Sequence, residues 1–237
     1  MWQRFGEAVH LLRTNLRLFS AIILTVWLPG NLLMNFLTYY VFPEDEWAKQ
    51  IRLNMWIEGL FGPIYIGAMV HALSKLKQGH AVNYAEAMSV GFKNWGRLFA
   101  ARFITGCIVL LGLMALIVPG VIFLARFAVL DPVVVLEGAE SKAARARCLV
   151  LTTGIRGQIV LSAVVFFIGF ILCSFLIYLP QSFFDQLDGM TYDVLADCLL
   201  DVIYAVIQIV MFLFYWEAKT SEVSRVDESN QMPPLPA

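Results

Sequence analysis

Five ionisable residues stand inside stretches that are otherwise apolar enough for a lipid interior: Glu58, Arg126, Asp131, Asp197 and Asp201. Asp197 and Asp201 are four residues apart, as are Asn31 and Asn35, so each pair shares one face of a helix. In hydrocarbon such groups turn inward and find partners, because an isolated charge there costs several kcal/mol. Their chemistry would be mutual neutralisation, the holding of a polar solute, or acid–base work by the paired aspartates. Counting from Gly120, Arg126 falls about 9 Å below the outer edge of its span. Glu58, Asn31, Asn35, Asp197 and Asp201 fall in the same layer. The expectation is therefore that Arg126 pairs with Glu58 or with the Asp197/Asp201 face.

The chain supplies no other reactive constellation. No G-x-S-x-G elbow, Walker loop or Gly-rich phosphate loop occurs. His10, His71 and His80 lack any metal-ligand spacing and sit at the ends of apolar runs. Cys107, Cys148, Cys173 and Cys198 lie in or beside apolar runs and read as small apolar residues. The expectation is no catalytic residue, no metal and no cofactor.

Apolar residues make up 59% of the chain and charged residues only 15%, which points to lipid as the solvent. The net charge of -1 leaves no nucleic-acid footprint. A crossing needs about 20 mostly apolar residues. Six segments qualify: about 19–42, 51–75, 98–118, 120–136, 157–180 and 193–216, the fourth being the shortest. This division sends Arg4, Arg13, Arg17, Lys75, Lys77, Lys93, Arg97, Arg102, Lys142, Arg145, Arg147, Arg156, Lys219 and Arg225 to one side. Only Lys49 and Arg52 reach the other, beside Glu44, Asp45, Glu46, Asp185 and Asp188. The positive-inside rule then places both termini in the cytoplasm, in a multi-pass protein of the inner membrane.

Helix breakers mark the even-numbered spans. Pro119-Gly120 is expected to form the turn between the third and fourth spans, and Gly62-Pro63 to interrupt the second. Pro132 should break the fourth, with Asp131 capping the segment from Val133 onward. Short, Pro-interrupted spans also line substrate sites in transporters.

Before the odd-numbered spans, EAVHLLRTNLRLF, EAMSVGFKNWGRLF and RARCLVLTTGIRGQI look alike. Each reads as a basic amphipathic helix lying at the cytoplasmic surface, suited to anionic lipid. Asn83 and Glu86 have the spacing of a capping box. A repeat of interfacial helix, span and returning span, used three times, accounts for this pattern, with turns at Pro43, Pro119 and Pro180. Gly106, Gly112, Gly157 and Gly169 offer close helix contacts. Residues 220–237, ending MPPLPA, read as a disordered cytoplasmic tail.

One run carries a family resemblance. It comprises Val118-Pro119-Gly120, Arg126, Asp131-Pro132-Val133-Val134 and Glu137-Gly138, then Ala144, Arg147, Cys148, Leu151, Thr152 and Gly154. It resembles the membrane domain that precedes the catalytic barrel of some glycerophosphoryl diester phosphodiesterases, and stand-alone bacterial inner-membrane proteins of the YciC-like kind. Cys148 departs from the serine usual there, and no barrel fits in the remaining residues. The resemblance thus implies a six-span all-α membrane protein and carries no hydrolase activity over.

Two functions follow as expectations. One is a non-enzymatic protein that organises the membrane through lipids, anionic ones at the cytoplasmic face, through a second copy of itself or through another membrane protein. The other is a carrier of a small solute or lipid that uses the buried charges. A carrier needs those charges around an open polar pocket, whereas a scaffold needs them sealed in mutual pairs.

Overall fold

A computed structural model of the chain describes residues 2–41, 47–184 and 189–231. Pro43, Glu44, Asp45, Glu46, Asp185, Asp188 and the MPPLPA end lie outside the described residues. Those that are described form an all-α polytopic membrane protein. The elements are α1 (Trp2–Thr14), α2 (Leu16–Tyr40), α3 (Trp47–Lys77), α4 (Tyr84–Ala115), α5 (Ile117–Phe127), α6 (Leu130–Leu136), α7 (Ser141–Leu151), α8 (Arg156–Tyr178) and α9 (Met190–Gln231). A 3-10 turn, Leu179–Ser182, follows α8 and contains Pro180, which cannot continue a helix ladder. Six helical segments are long and apolar enough to cross a membrane, α5 and α6 together forming the fourth.

The third helix is the centre of the bundle. Within its apolar window 72% of residues are buried, against 17% for α8, which therefore presents most of its surface to lipid. Met69 and Leu73 of α3 pack in the same core as Phe212, Leu213, Phe214 and Tyr215 of α9, all essentially inaccessible. One end of the bundle gathers the basic residues. There Arg4 of α1 meets Glu217 of α9 at 2.7 Å, and Lys77 of α3 meets Glu7 of α1 at 2.6 Å. We call this the basic end and the opposite one the far end.

Several sequence expectations change at this level. Pro63 does not interrupt the second span: α3 runs unbroken through it. The proline cannot bond the carbonyl of Gly59, and Trp95 of α4 donates its Nε1–H to the next carbonyl, that of Leu60, at 2.6 Å. The turn before the fourth span is not Pro119-Gly120 but Leu116, whose extended backbone (φ -163, ψ 146) separates α4 from α5. Pro119 instead occupies the first turn of α5, where its missing N–H has no helical partner to lose. Pro132 does break the span. Its ring excludes the carbonyl four residues back, that of Ala128, and the chain leaves helix between Phe127 and Leu130.

Of the proposed repeat, a break between the leading helix and its span occurs before the first and fifth spans only, among the described residues. A non-helical Asn15 separates α1 from α2, and Gly154, at φ +85, turns the chain between α7 and α8. The middle copy has no such break, because α4 runs straight from Tyr84 to Ala115. Asn83 does cap it, accepting from Ala85 N at 3.1 Å, but Glu86 reaches His71 and Lys75 rather than closing the box. The tail also differs: α9 continues to Gln231, so residues 220–231 are helical rather than disordered.

Glycine sets the closest helix crossings. A Cβ on Gly91 would stand 2.3 Å from the carbonyl oxygen of Ile64, and one on Gly67 would stand 3.1 Å from Gly91 Cα. The backbones of α3 and α4 therefore touch. Gly120 meets Leu113 and Gly112 meets Phe123 in the same manner across the α4–α5 turn. Gly106, Gly157 and Gly169 make no such approach, nothing lying within 4 Å of an added Cβ. Gly91→Ala should therefore cost about 1–3 kcal/mol and lower the melting temperature in detergent by several degrees. Gly169→Ala should leave it unchanged or raised, alanine being the better helix former. Thermal unfolding of the two variants side by side checks this, and equal melting temperatures would refute the crossing.

Candidate functional site

The polar layer is built by two antiparallel helices. On α2, Asn31, Asn35 and Tyr39 recur every four residues; on α9, Asp193, Asp197 and Asp201 do the same. They meet rung by rung. Asn31 Nδ2 donates to Asp201 at 2.7 Å, Asn35 Nδ2 to Asp197 at 2.9 Å, and Tyr39 Oη to Asp193 at 2.6 Å. Tyr178 adds a 2.6 Å bond to the other oxygen of Asp197, and Gln181 a 2.7 Å bond to the other oxygen of Asp193. Each aspartate is thus held by neutral amide and hydroxyl donors. Asp193 and Tyr39 escaped the sequence reading, although the same four-residue spacing carried them.

Next to this ladder lies a cavity of about 520 Å³. Asn31, Asn35, Asp197 and Asp201 form one wall and Asn54, Glu58 and Tyr65 of α3 another, with Tyr204 nearby. Thr38, Asn54 and Glu58 are exposed and stand at its mouth. Among the described residues, no lysine or arginine lines it. Glu58, Asp197, Asp201 and Asn35 therefore come together as expected.

Arg126 and Asp131 do not join them. The cationic partner is Arg102, half-buried, which the residue count had assigned to the cytoplasmic flank. Arg102 Nη1 bonds Asp131 Oδ2 at 3.2 Å, joining α4 to α6. Asp131 accordingly does not cap its helix. It lies within α6, whose N-cap is Val129 and has no side-chain cap bond. Arg102 also shares a small cleft with Glu58, between α3 and α4. Beyond the pair opens an apolar cavity of about 630 Å³ between α4, α5, α8 and α9, where Thr105 buries an Oγ1 without a partner among the described residues.

Arg126 lies toward the basic end. Its guanidinium is 5.7 Å from the Phe123 ring, and its carbonyl accepts from Thr152 Oγ1 at 3.4 Å. The depth estimate failed because α5 begins at Ile117 and ends one residue past Arg126, beside the α7–α8 turn.

The family-like residues form a third cluster, at the basic end. Glu137 takes Arg147 Nε at 3.0 Å and Tyr215 Oη at 3.1 Å, with Lys219 Nζ 3.8 Å away. Arg147 also grips Glu222 of α9 through both terminal nitrogens. These carboxylates raise the Arg147 pKa further above its ordinary value. Thr152 is fully buried and donates to Cys148 O at 2.8 Å. Burial pushes the Cys148 thiol up to about 12, assisted by the charges of Asp131 and Glu137.

No protein-family model matches the chain, and no solved structure matches it.

Two measurements test these assignments. Arg102→Met and Asp131→Leu should each destabilise the fold by about 1–3 kcal/mol, since each strands a charge. The double variant should cost less than the two together, as unfolding in detergent would register; strict additivity would deny the pair. Cys148 should resist maleimide at pH 8, where its thiol stays protonated and covered, and should react once the chain is unfolded. Labelling of Cys148 in the folded protein would contradict its burial.

Proposed function

We propose that this chain is a non-enzymatic solute-binding protein of the cytoplasmic membrane, with both termini inside, that takes a small cationic solute from the outer side. The observation that supports it is the cavity at the far end, where Glu58, Asp197 and Asp201 face one space without a lining lysine or arginine. Neutral donors hold the two aspartates in place but supply no counter-charge, so a cation is the occupant that completes the site. The amides of Asn31, Asn35 and Asn54 and the hydroxyl of Thr38 supply hydrogen bonds around it.

Carrier and scaffold differ in what they ask of the charges. Arg102 and Asp131 meet in a mutual pair, while the three acids of the cavity border open space. This favours the solute-binding reading over a wholly structural role. The resemblance to the diesterase-associated membrane domain fits the same reading, with Glu137, Arg147, Thr152 and Gly154 fastening the basic end rather than doing chemistry.

A panel of sodium, choline and putrescine added to the detergent-purified protein tests this. Saturation by a fitting cation at about a hundredfold its Kd should stabilise the fold by about 2.7 kcal/mol and raise the melting temperature by several degrees. Asp201→Asn, which keeps a side chain able to meet Asn31, and Glu58→Gln should each abolish most of that rise. If no member of the panel stabilises the wild type, or if the variants respond equally, the reading fails. Uptake of the stabilising cation into vesicles carrying the protein would establish transport in addition to binding.

A further inference from the structure

The arginine expected among the acids instead stands beside a second arginine. Arg126, at the end of α5, and Arg156, at the start of α8, line one notch of about 600 Å³ with Leu149, Val150 and Thr153. The Nε of each is buried and has no hydrogen-bond partner among the described residues. Arg156 spends one terminal nitrogen on the carbonyl of Leu149, at 3.3 Å. Among the described residues no carboxylate lines the notch. Two guanidiniums sharing one space repel each other, and their remaining donors point to an anion with several acceptor oxygens.

The surroundings narrow the kind of anion. The notch lies where α5 and α8, both membrane-crossing segments, meet the amphipathic α7. Val150 is 63% exposed and Leu149 37%, so apolar surface continues outward from the charged pair. Ile122, one turn from Arg126 on the same face of α5, is also exposed. A phosphate with acyl chains attached satisfies both features, because the headgroup meets the arginines while the chains cover the apolar rim. A free inorganic anion satisfies only the first.

We propose that the Arg126–Arg156 notch binds the phosphate of an anionic phospholipid from the leaflet at the basic end. This site is separate from the far-end cavity, so its failure would leave the solute-binding reading untouched. Arg126 and Arg156 act as headgroup ligands and Leu149, Val150 and Ile122 as the acyl-chain border.

The test uses the full chain reconstituted in vesicles of phosphatidylcholine doped with phosphatidylglycerol, then extracted gently for native mass spectrometry. The wild type should retain phosphatidylglycerol well above its share of the vesicle. The double variant Arg126→Gln, Arg156→Gln should retain it roughly tenfold less, the equivalent of one charge-assisted hydrogen bond. Lys49→Gln, Arg52→Gln, near the start of α3 and so at the opposite end of the bundle from the notch, should retain it like the wild type. Inorganic phosphate at the same total concentration should fail to displace the lipid. Should the double variant not fold, the wild type alone decides, through a melting temperature raised by phosphatidylglycerol and not by phosphatidylcholine. Equal retention of both lipids by the wild type, undiminished retention by the double variant, or displacement by inorganic phosphate would overturn the assignment.

Discussion

Hydrocarbon offers a polar group no hydrogen bond, so a charged group inside the spans depends on the protein itself for its partners. The rest of the arrangement depends on this constraint. The chain answers it in two ways. Along α2 and α9, three carboxylates receive neutral amide and hydroxyl donors at consecutive helical turns. Between α4 and α6, one carboxylate receives a guanidinium. The first solution fixes the rotation and sliding of two helices, because displacing either by a turn leaves an aspartate or a donor without its rung. The second pins a broken span to an unbroken one.

The second solution explains the unusual fourth span. Arg102 lies fourteen residues before Leu116 and Asp131 fifteen after it, so helices running back to back from that turn bring the two to one level. Gly112 and Gly120 allow the helices close enough for this near the turn itself. Pro132 then ends the ladder of α5, and α6 packs separately against α3, α4 and α7. Breaker, glycines and ion pair thus act together. The broken span holds its place through packing and charge rather than through backbone continuity.

Much of this was legible in the sequence, and what was not has physical causes. Apolar run length revealed six crossings, since the bilayer imposes a length that composition must meet. The four-residue spacing of Asn31 and Asn35 and of Asp197 and Asp201 placed each pair on a face and brought the faces into one layer. Depth along a span was less readable. Arg102 follows Arg97 by little more than one turn, so it looked like the last of the flanking basic residues, although its helix carries it inside. Arg126 was placed by counting from Gly120, whereas the turn comes at Leu116 and the helix stops just past the arginine. Prolines were ambiguous too: Pro63 sits within a helix whose neighbour supplies Trp95 to a nearby carbonyl, while ahead of Pro132 the helix stops at Phe127 and a new one starts at Leu130. Partners on other helices decide such outcomes, and one helix's sequence does not contain them.

Among the described residues, the two ends of the bundle hold spaces lined by charge of opposite sign. At the far-end cavity, amides and hydroxyls orient the aspartates without supplying a counter-charge. At the basic end, Glu137 and Glu222 are answered by Arg147 and Lys219, yet Arg126 and Arg156 share a notch that no described carboxylate lines. A bundle that pairs Arg102 with Asp131 could have paired these ends by the same means. An unanswered charge lowers the stability of the empty protein through self-repulsion and is relieved when a counter-charge arrives. The two proposed ligands, a cation at one end and a phosphate at the other, are the species that relieve it. Tyr204 borders both the acidic cavity and the apolar one that reaches the Arg102–Asp131 pair. The acidic cavity and the cavity that reaches the ion pair are thus neighbours across one tyrosine, and the residues that fix the broken span stand next to those of the candidate site.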